Sequence, residues 1–210
     1  MIIAINGSPR KKGNTATLLG HALEGAKSKG APAELVHLHD LTYRGCVSCF
    51  ACKHKGGNLG HCALHDDLSP LLERLREAEA ILLGSPIYFW DVTGAMRSFM
   101  ERFLFSNMLY NRENRWLFPK RIPSALIYTW GASEEAVRTQ DSFVRVTEKY
   151  LGMMFGTPPS VLYSVMSLQF NNYSRYETDA LDEEAIRRQR REVFPQDCQK
   201  AFEIGASLVR

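Results

Sequence analysis

Short apolar runs alternate with segments of helical period along the whole chain. Residues 2–6, IIAIN, form an apolar run of strand length. Residues 15–29 then put Leu18, Leu19, Ala22, Leu23 and Ala26 on one face of a helix. Residues 33–39, AELVHLH, read as a second strand. Residues 66–78, DDLSPLLERLREA, read as an amphipathic helix whose leading aspartates suit the positive end of its dipole. Residues 80–86, 94–105, 122–130, 142–154 and 160–166 continue as strand, helix, strand, helix and strand. Residues 182–209 read as helical with a break near Pro195. Five strands alternating with helices predict an α/β chain whose parallel sheet is covered on both faces. In such sheets ligands sit beyond the carboxyl ends of the strands, near the switch in strand order. The loops after the first, third and fourth strands are therefore the places to seek chemistry. Residues 168–181 are polar and aromatic without helical or strand period, and read as a lid or an oligomer contact.

Composition narrows the class without changing the fold. The chain has 210 residues, 45% hydrophobic and 23% charged, enough for a single domain over 1–210 with a proper core. A net charge of +3 gives no ground for a nucleic-acid partner. The basic run at 186–192 reads as the solvated face of a helix. No apolar run approaches the roughly 18 residues of a membrane span. The opening run is too short for a signal peptide and reads as the first strand. A glycosylation sequon at Asn172 stands without other signs of secretion. The expectation is a cytoplasmic, reducing setting with no membrane partner.

The first loop, NGSPRKKGNT, brings hydroxyls, an amide and three basic side chains to a helix N-terminus. Free backbone N–H groups and the helix dipole favour an anion there. Ser8 and Thr15 can donate hydroxyls and Asn14 an amide, while Gly13 allows close backbone approach. The loop is neither a Walker A sequence nor G-x-G-x-x-G. A plain turn with Asn14 or Thr15 as helix cap is the alternative. One strand away, PIYFW offers apolar and aromatic walls at a strand's carboxyl end, suited to a flat ring. Tyr88, Phe89 and Trp90 could equally be core aromatics, or Trp90 could face a neighbouring subunit.

These motifs carry a resemblance. GSPRKKGNT resembles the phosphate loop of the flavodoxin-like NAD(P)H-dependent FMN reductases, and GSPIYFWDVTGAMRSFMERF resembles that family's second flavin loop and following helix. The cysteine-rich stretch, followed by Asp66 and Asp67, is similar to the iron–sulfur flavoprotein branch. FPQDCQKAFEIG near the C-terminus extends the likeness almost end to end. The resemblance implies a flavodoxin-like, doubly wound, five-stranded parallel sheet in the order 2-1-3-4-5, helices on both faces, and FMN at the switch between strands one and three. It implies that Ser8, Arg10, Asn14 and Thr15, with Gly13 between them, hold the phosphate. Pro86, Ile87, Tyr88 and Phe89 would line the isoalloxazine ring. Thr129, Trp130 and Gly131 would supply the third loop. Trp130 departs from the family pattern, and its bulk either covers the flavin or fills the core.

Four of the five cysteines fall within the loop at 45–65: Cys46, Cys49, Cys52 and Cys62. A C-x2-C-x2-C run with a remote fourth cysteine fits the ligand logic of a 4Fe–4S cubane. Nine residues separate Cys52 from Cys62, a longer gap than in the similar iron–sulfur flavoproteins. His54, His61 and His65 lie close by, so zinc is the rival. Free thiols without metal are the third reading. Cys198 stands apart and reads as packing.

The expectation is an FMN-dependent oxidoreductase that takes hydride from NAD(P)H and passes electrons to a small-molecule or protein acceptor, with or without an iron–sulfur cluster. A homodimer or homotetramer is expected, with residues 170–176 crossing to a neighbour. The alternatives are a flavodoxin-like electron carrier without its own NAD(P)H turnover, and a zinc-stabilised binding module.

Overall fold

The computed structural model describes residues 1–140 and 142–209. A parallel sheet runs through its centre. Its strands are β1 (Ile2–Asn6), β2 (Ala33–His37), β3 (Ala80–Tyr88), β5 (Ser124–Thr129) and β6 (Ser160–Ser164). A sixth strand, β4 (Asp91–Val92), turns back antiparallel on the end of β3. The order is β2-β1-β3-β5-β6. The expected five-stranded sheet therefore needs correction to six strands, because a two-residue strand is too short to show any alternation. The parallel path keeps the expected crossovers, with its last two members renumbered. Register is set by Ile2 opposite both Ala33 and Ala80, by Ile81 opposite Ser124, and by Ala125 opposite Ser160.

β1 is buried along its whole length because both faces are covered. Ile3 and Ile5 face one hydrophobic cluster, shared with helices α2 (Leu68–Glu77), α3 (Gly94–Asn107) and α5 (Ser142–Phe155). Ile2 and Ala4 face the other, shared with α1 (Asn14–Ser28) and α7 (Phe194–Ser207). Each fully buried isoleucine contributes about 1.5–3 kcal/mol. A short α4 (Glu134–Gln140) and a basic α6 (Glu183–Glu192) complete the helices. No described helix is long and apolar enough to cross a membrane.

The C-terminal helical stretch breaks at Val193, and Pro195 occupies the first turn of α7, where its missing N–H costs nothing. Two glycines let α7 lie hard against α1. A Cβ at Gly25 would sit 2.0 Å from the Phe202 carbonyl oxygen, and one at Gly205 would sit 1.7 Å from that of Ala22. That close crossing brings α6 over the N-terminus of α1.

The helix expected from residue 66 begins at Leu68. Asp66 lies just before it, accepting from the Leu68 N–H at 3.1 Å and from Arg102 Nη1 at 2.5 Å. Its main partner is thus a buried cation on α3 rather than the helix dipole.

Candidate functional site

The loop after β1 is held from within. The Asn6 side-chain oxygen accepts from the Ser8 N–H at 2.9 Å, and Ser8 Oγ accepts from the Arg10 N–H at 3.2 Å. Thr93, the cap of α3, accepts from the Met96 N–H at 3.2 Å and donates to the Gly7 carbonyl at 2.8 Å. A Cβ at Gly7 would meet that of Met96 at 2.9 Å, so the loop passes close under α3. Gly13 caps α1, and no side chain satisfies the first N–H groups of that helix. The positive end of the helix opens there.

Opposite stands the β3–β4 hairpin. Ile87 pairs with Val92 and Tyr88 with Asp91, so Phe89 and Trp90 form a two-residue tip. Both are left-handed, with φ of 49° and 67°. Such a tip ordinarily takes Asn-Gly. Two bulky residues in this region cost about 1–3 kcal/mol each, a strain typical of ligand-facing segments. Phe89 is 100% exposed and Tyr88 49%. Trp90 packs against Trp130, ring centroids 5.7 Å apart. Trp130 is 2% exposed and belongs to the core. Its bulk fills the sheet's end under the hairpin.

Between loop and hairpin lies a cleft of about 1200 Å³. All twelve residues expected to contact FMN line it. Thr15 and Thr129, however, are buried, and their hydroxyls bond each other at 2.8 Å. They brace the floor of the cleft through that bond. The cleft has further walls that local motifs did not reveal. Lys12, the segment 167–172, Arg175, Tyr176 and Arg190 line it, and among the described residues no carboxylate does.

The segment after β6 lies over the loop. Arg10 Nη1 donates to the Gln169 carbonyl at 2.6 Å, and Asn14 Nδ2 to that of Leu168 at 2.9 Å. A Cβ at Gly131 would meet Gln169 Nε2 at 2.3 Å. Phe170 stacks on Tyr176 at 4.2 Å, and Tyr173 is buried. The stretch expected as a lid or an oligomer contact forms one wall of the cleft.

The cysteine loop is irregular apart from one turn at Ala51–Lys53. Cys46, Cys49, Cys52 and Cys62 line one small cavity of about 20 Å³, together with Arg102 and Phe105. Cys46 and Cys49 are exposed, Cys52 is buried and Cys62 half-buried. Burial pushes the Cys52 thiol up, and neighbouring Lys53 opposes that shift. Among the described residues no three Cys, His, Asp or Glu stand gathered as metal ligands. His61 is taken by Glu73, 2.8 Å away. Arg102 is 1% exposed, and its Nε has no partner among the described residues. It fastens the loop by donating to the carbonyls of Arg44 at 3.3 Å and Leu64 at 3.4 Å. A buried guanidinium beside four thiols suits an anionic thiolate set.

A basic turn at a helix N-terminus facing an aromatic hairpin, at the carboxyl edge of a 2-1-3 parallel sheet, defines a flavodoxin-like α/β protein. Residues 1–164 match the NADPH-dependent FMN reductases, and the chain belongs to that family. It is 39% identical over 119 residues to an iron–sulfur flavoprotein of Archaeoglobus fulgidus, covering 56% of each chain. It is 37% identical over 101 residues to another from Methanocaldococcus jannaschii, covering 48% of this chain and 50% of that one. These alignments span about half the length of the curated relatives. In fold it is similar to an NAD(P)H:quinone oxidoreductase from Methanothermobacter marburgensis, with TM-score 0.70, 13% identity, and 100% and 96% of the two chains covered. It is likewise similar to an FMN-dependent NADH-azoreductase of Bacillus anthracis in complex with FMN, with TM-score 0.68, 11% identity, and 100% and 99% covered.

Proposed function

We propose that the chain is an FMN-dependent oxidoreductase that takes hydride from NAD(P)H and passes electrons to an acceptor. The observation that carries this reading is the cleft itself. One end presents an uncapped helix N-terminus with Arg10, Lys12 and Asn14; the other presents Tyr88 and Phe89 on a strained hairpin. A ligand with a phosphate at one end and a flat ring at the other fits that polarity. The fit is supported by a lining without a carboxylate among the described residues and by the absence of a side-chain cap at the start of α1.

In this reading Ser8, Arg10, Gly13 and Asn14 hold the phosphate, with Thr15 bracing the turn from below. Pro86, Ile87, Tyr88 and Phe89 line the ring. Thr129, Trp130 and Gly131 close its far edge. Bound FMN would supply the hydride and electron chemistry. The protein's part is to orient the ring and keep water from it. Arg10 and Asn14 must exchange the carbonyls of Gln169 and Leu168 for phosphate oxygens, so the 167–172 wall shifts when the ligand enters.

Cys46, Cys49, Cys52 and Cys62 would hold a 4Fe–4S cluster, a reading supported by their shared cavity, by Arg102 as counter-charge and by the relatives' names. Zinc on the same thiols is the rival, in a structural role. The fully exposed Phe89 beside the cleft supports a homodimer or homotetramer in which a second copy covers the ring. A reducing cytoplasm suits five free cysteines.

The test is steady-state oxidation of NADH and of NADPH by FMN-loaded protein with a quinone or azo dye as acceptor. Sustained turnover identifies an enzyme. FMN binding with no turnover of either nucleotide identifies an electron carrier instead.

A further inference from the structure

Residues 165–209 lie beyond the stretch that matches the family, yet they close the loop end of the cleft. Beside the Leu168 and Gln169 carbonyls, a charged side chain does so: Arg190 on α6. Its Nη1 donates to Asn14 Oδ1 at 3.0 Å, across 176 positions of sequence. Its guanidinium lies over the ring of Phe194, 3.9 Å from the centroid. Phe194 is itself buried at the start of α7. Arg190 is therefore fixed in place.

Two consequences follow from elementary chemistry. A guanidinium only donates, so the Asn14 amide must turn its oxygen to Arg190 and its NH2 away. That NH2 now donates to the Leu168 carbonyl on the cleft wall. Arg190 thereby sets which end of Asn14 a ligand meets. The charge of Arg190 also lacks a carboxylate partner among the described residues. Two acids on the same two helices are engaged elsewhere: Glu183 with Arg187 at 2.6 Å, and Asp197 with Ser164 at 2.8 Å and Lys200 at 3.6 Å.

We propose that Arg190 is a specificity-determining residue of the cleft, selecting a flavin that carries a terminal phosphate over one that does not. The proposal rests on the FMN reading above. The guanidinium holds the Asn14 donor toward the anion and adds a charge that no described carboxylate pairs. Stacking on Phe194 keeps that charge pre-organised. Lysine would keep the charge but lose both the fork and the flat stacking.

The experiment titrates the full-length apoprotein with FMN and, separately, with riboflavin, following flavin fluorescence. Arg190→Gln is expected to weaken FMN binding about tenfold or more, the scale of one hydrogen bond to a charged group. Riboflavin affinity should stay within about twofold, since its uncharged ribityl end gains little from a cation. Arg190→Lys should fall between wild type and Arg190→Gln. Unchanged FMN affinity in Arg190→Gln would overturn the proposal. Equal losses for FMN and riboflavin would overturn it too, because they would mark Arg190 as a structural pin. If Arg190→Gln does not fold, Arg190→Lys decides, and wild-type selectivity in that variant is the contrary result. Failure of wild-type protein to bind either flavin would remove the FMN reading itself. Wild-type FMN binding with an indifferent Arg190→Gln removes only the role of Arg190.

Discussion

Phe89→Asn should make the protein more stable and a poorer flavin binder. Phe89 sits at φ 49° at the first tip position of the β3–β4 hairpin. A left-handed backbone costs an ordinary residue about 1–2 kcal/mol. Asn tolerates it far better, since its short polar side chain bonds locally. Within a single chain nothing opposes that gain, because Phe89 is 100% exposed there and has no packing to lose. The net stabilisation is about 1 kcal/mol, which for a chain of this size raises Tm by about 2–4 °C. The readout is thermal unfolding of apoprotein by circular dichroism, beside FMN titration of both proteins. FMN affinity should fall, because one aromatic wall is gone. A lower Tm in Phe89→Asn would refute the reasoning, since it would mean the ring is packed in solution. A higher Tm with unchanged FMN affinity would show that the strain is kept for something other than the flavin.

Three further outcomes are expected. Asn14→Ala should weaken FMN binding about tenfold through loss of a donor to phosphate, whereas Thr15→Ala should mainly lower Tm, because it leaves the buried Thr129 hydroxyl unpaired at a cost of about 1–3 kcal/mol; equal effects of both on affinity would put Thr15 back against the ligand. For Asp66, burial acts to raise the carboxyl and is outweighed by the hydrogen bond and charge of Arg102, so its pKa lies below the ordinary value. A depressed folded pKa stabilises fully above the unfolded value near 3.9 and is lost as pH falls through the folded one; the Tm advantage of wild type over Asp66→Asn should hold constant above about pH 5 and shrink below about pH 4, and an advantage independent of pH would exclude the ion pair. After anaerobic purification, about four iron and four acid-labile sulfide per chain would support the cubane; about one zinc without sulfide would support the structural rival.

The parts of the molecule that could be read from sequence are those specified by neighbours in the chain. β1 and β3 are continuous apolar runs, and α1 and α2 carry their apolar faces at helical spacing, so they stand close to where pattern put them. The basic turn after β1 and the aromatic run were visible because each is one short motif. β4 was hidden because two residues carry no period. The hairpin was hidden because Phe-Trp is the wrong chemistry for a tight tip. Asp66 was assigned to its own helix, yet its partner lies 36 positions away on α3. Thr15 reads as a ligand donor from its motif, and its hydroxyl bond to Thr129, 114 positions on, is a tertiary contact no local pattern shows. Arg190 was read as part of a solvated basic face. Its bond to Asn14 and its place over Phe194 are tertiary contacts that bring that side chain to the cleft.

The central claim is that this cleft takes up FMN and presents it to a nicotinamide. Its most direct test is the visible spectrum of anaerobic apoprotein titrated with FMN, then with NADPH or NADH. The account predicts saturation at about one FMN per chain, no comparable uptake of riboflavin, and bleaching of the flavin band by at least one of the two nucleotides. Protein that stays colourless in excess FMN would contradict it.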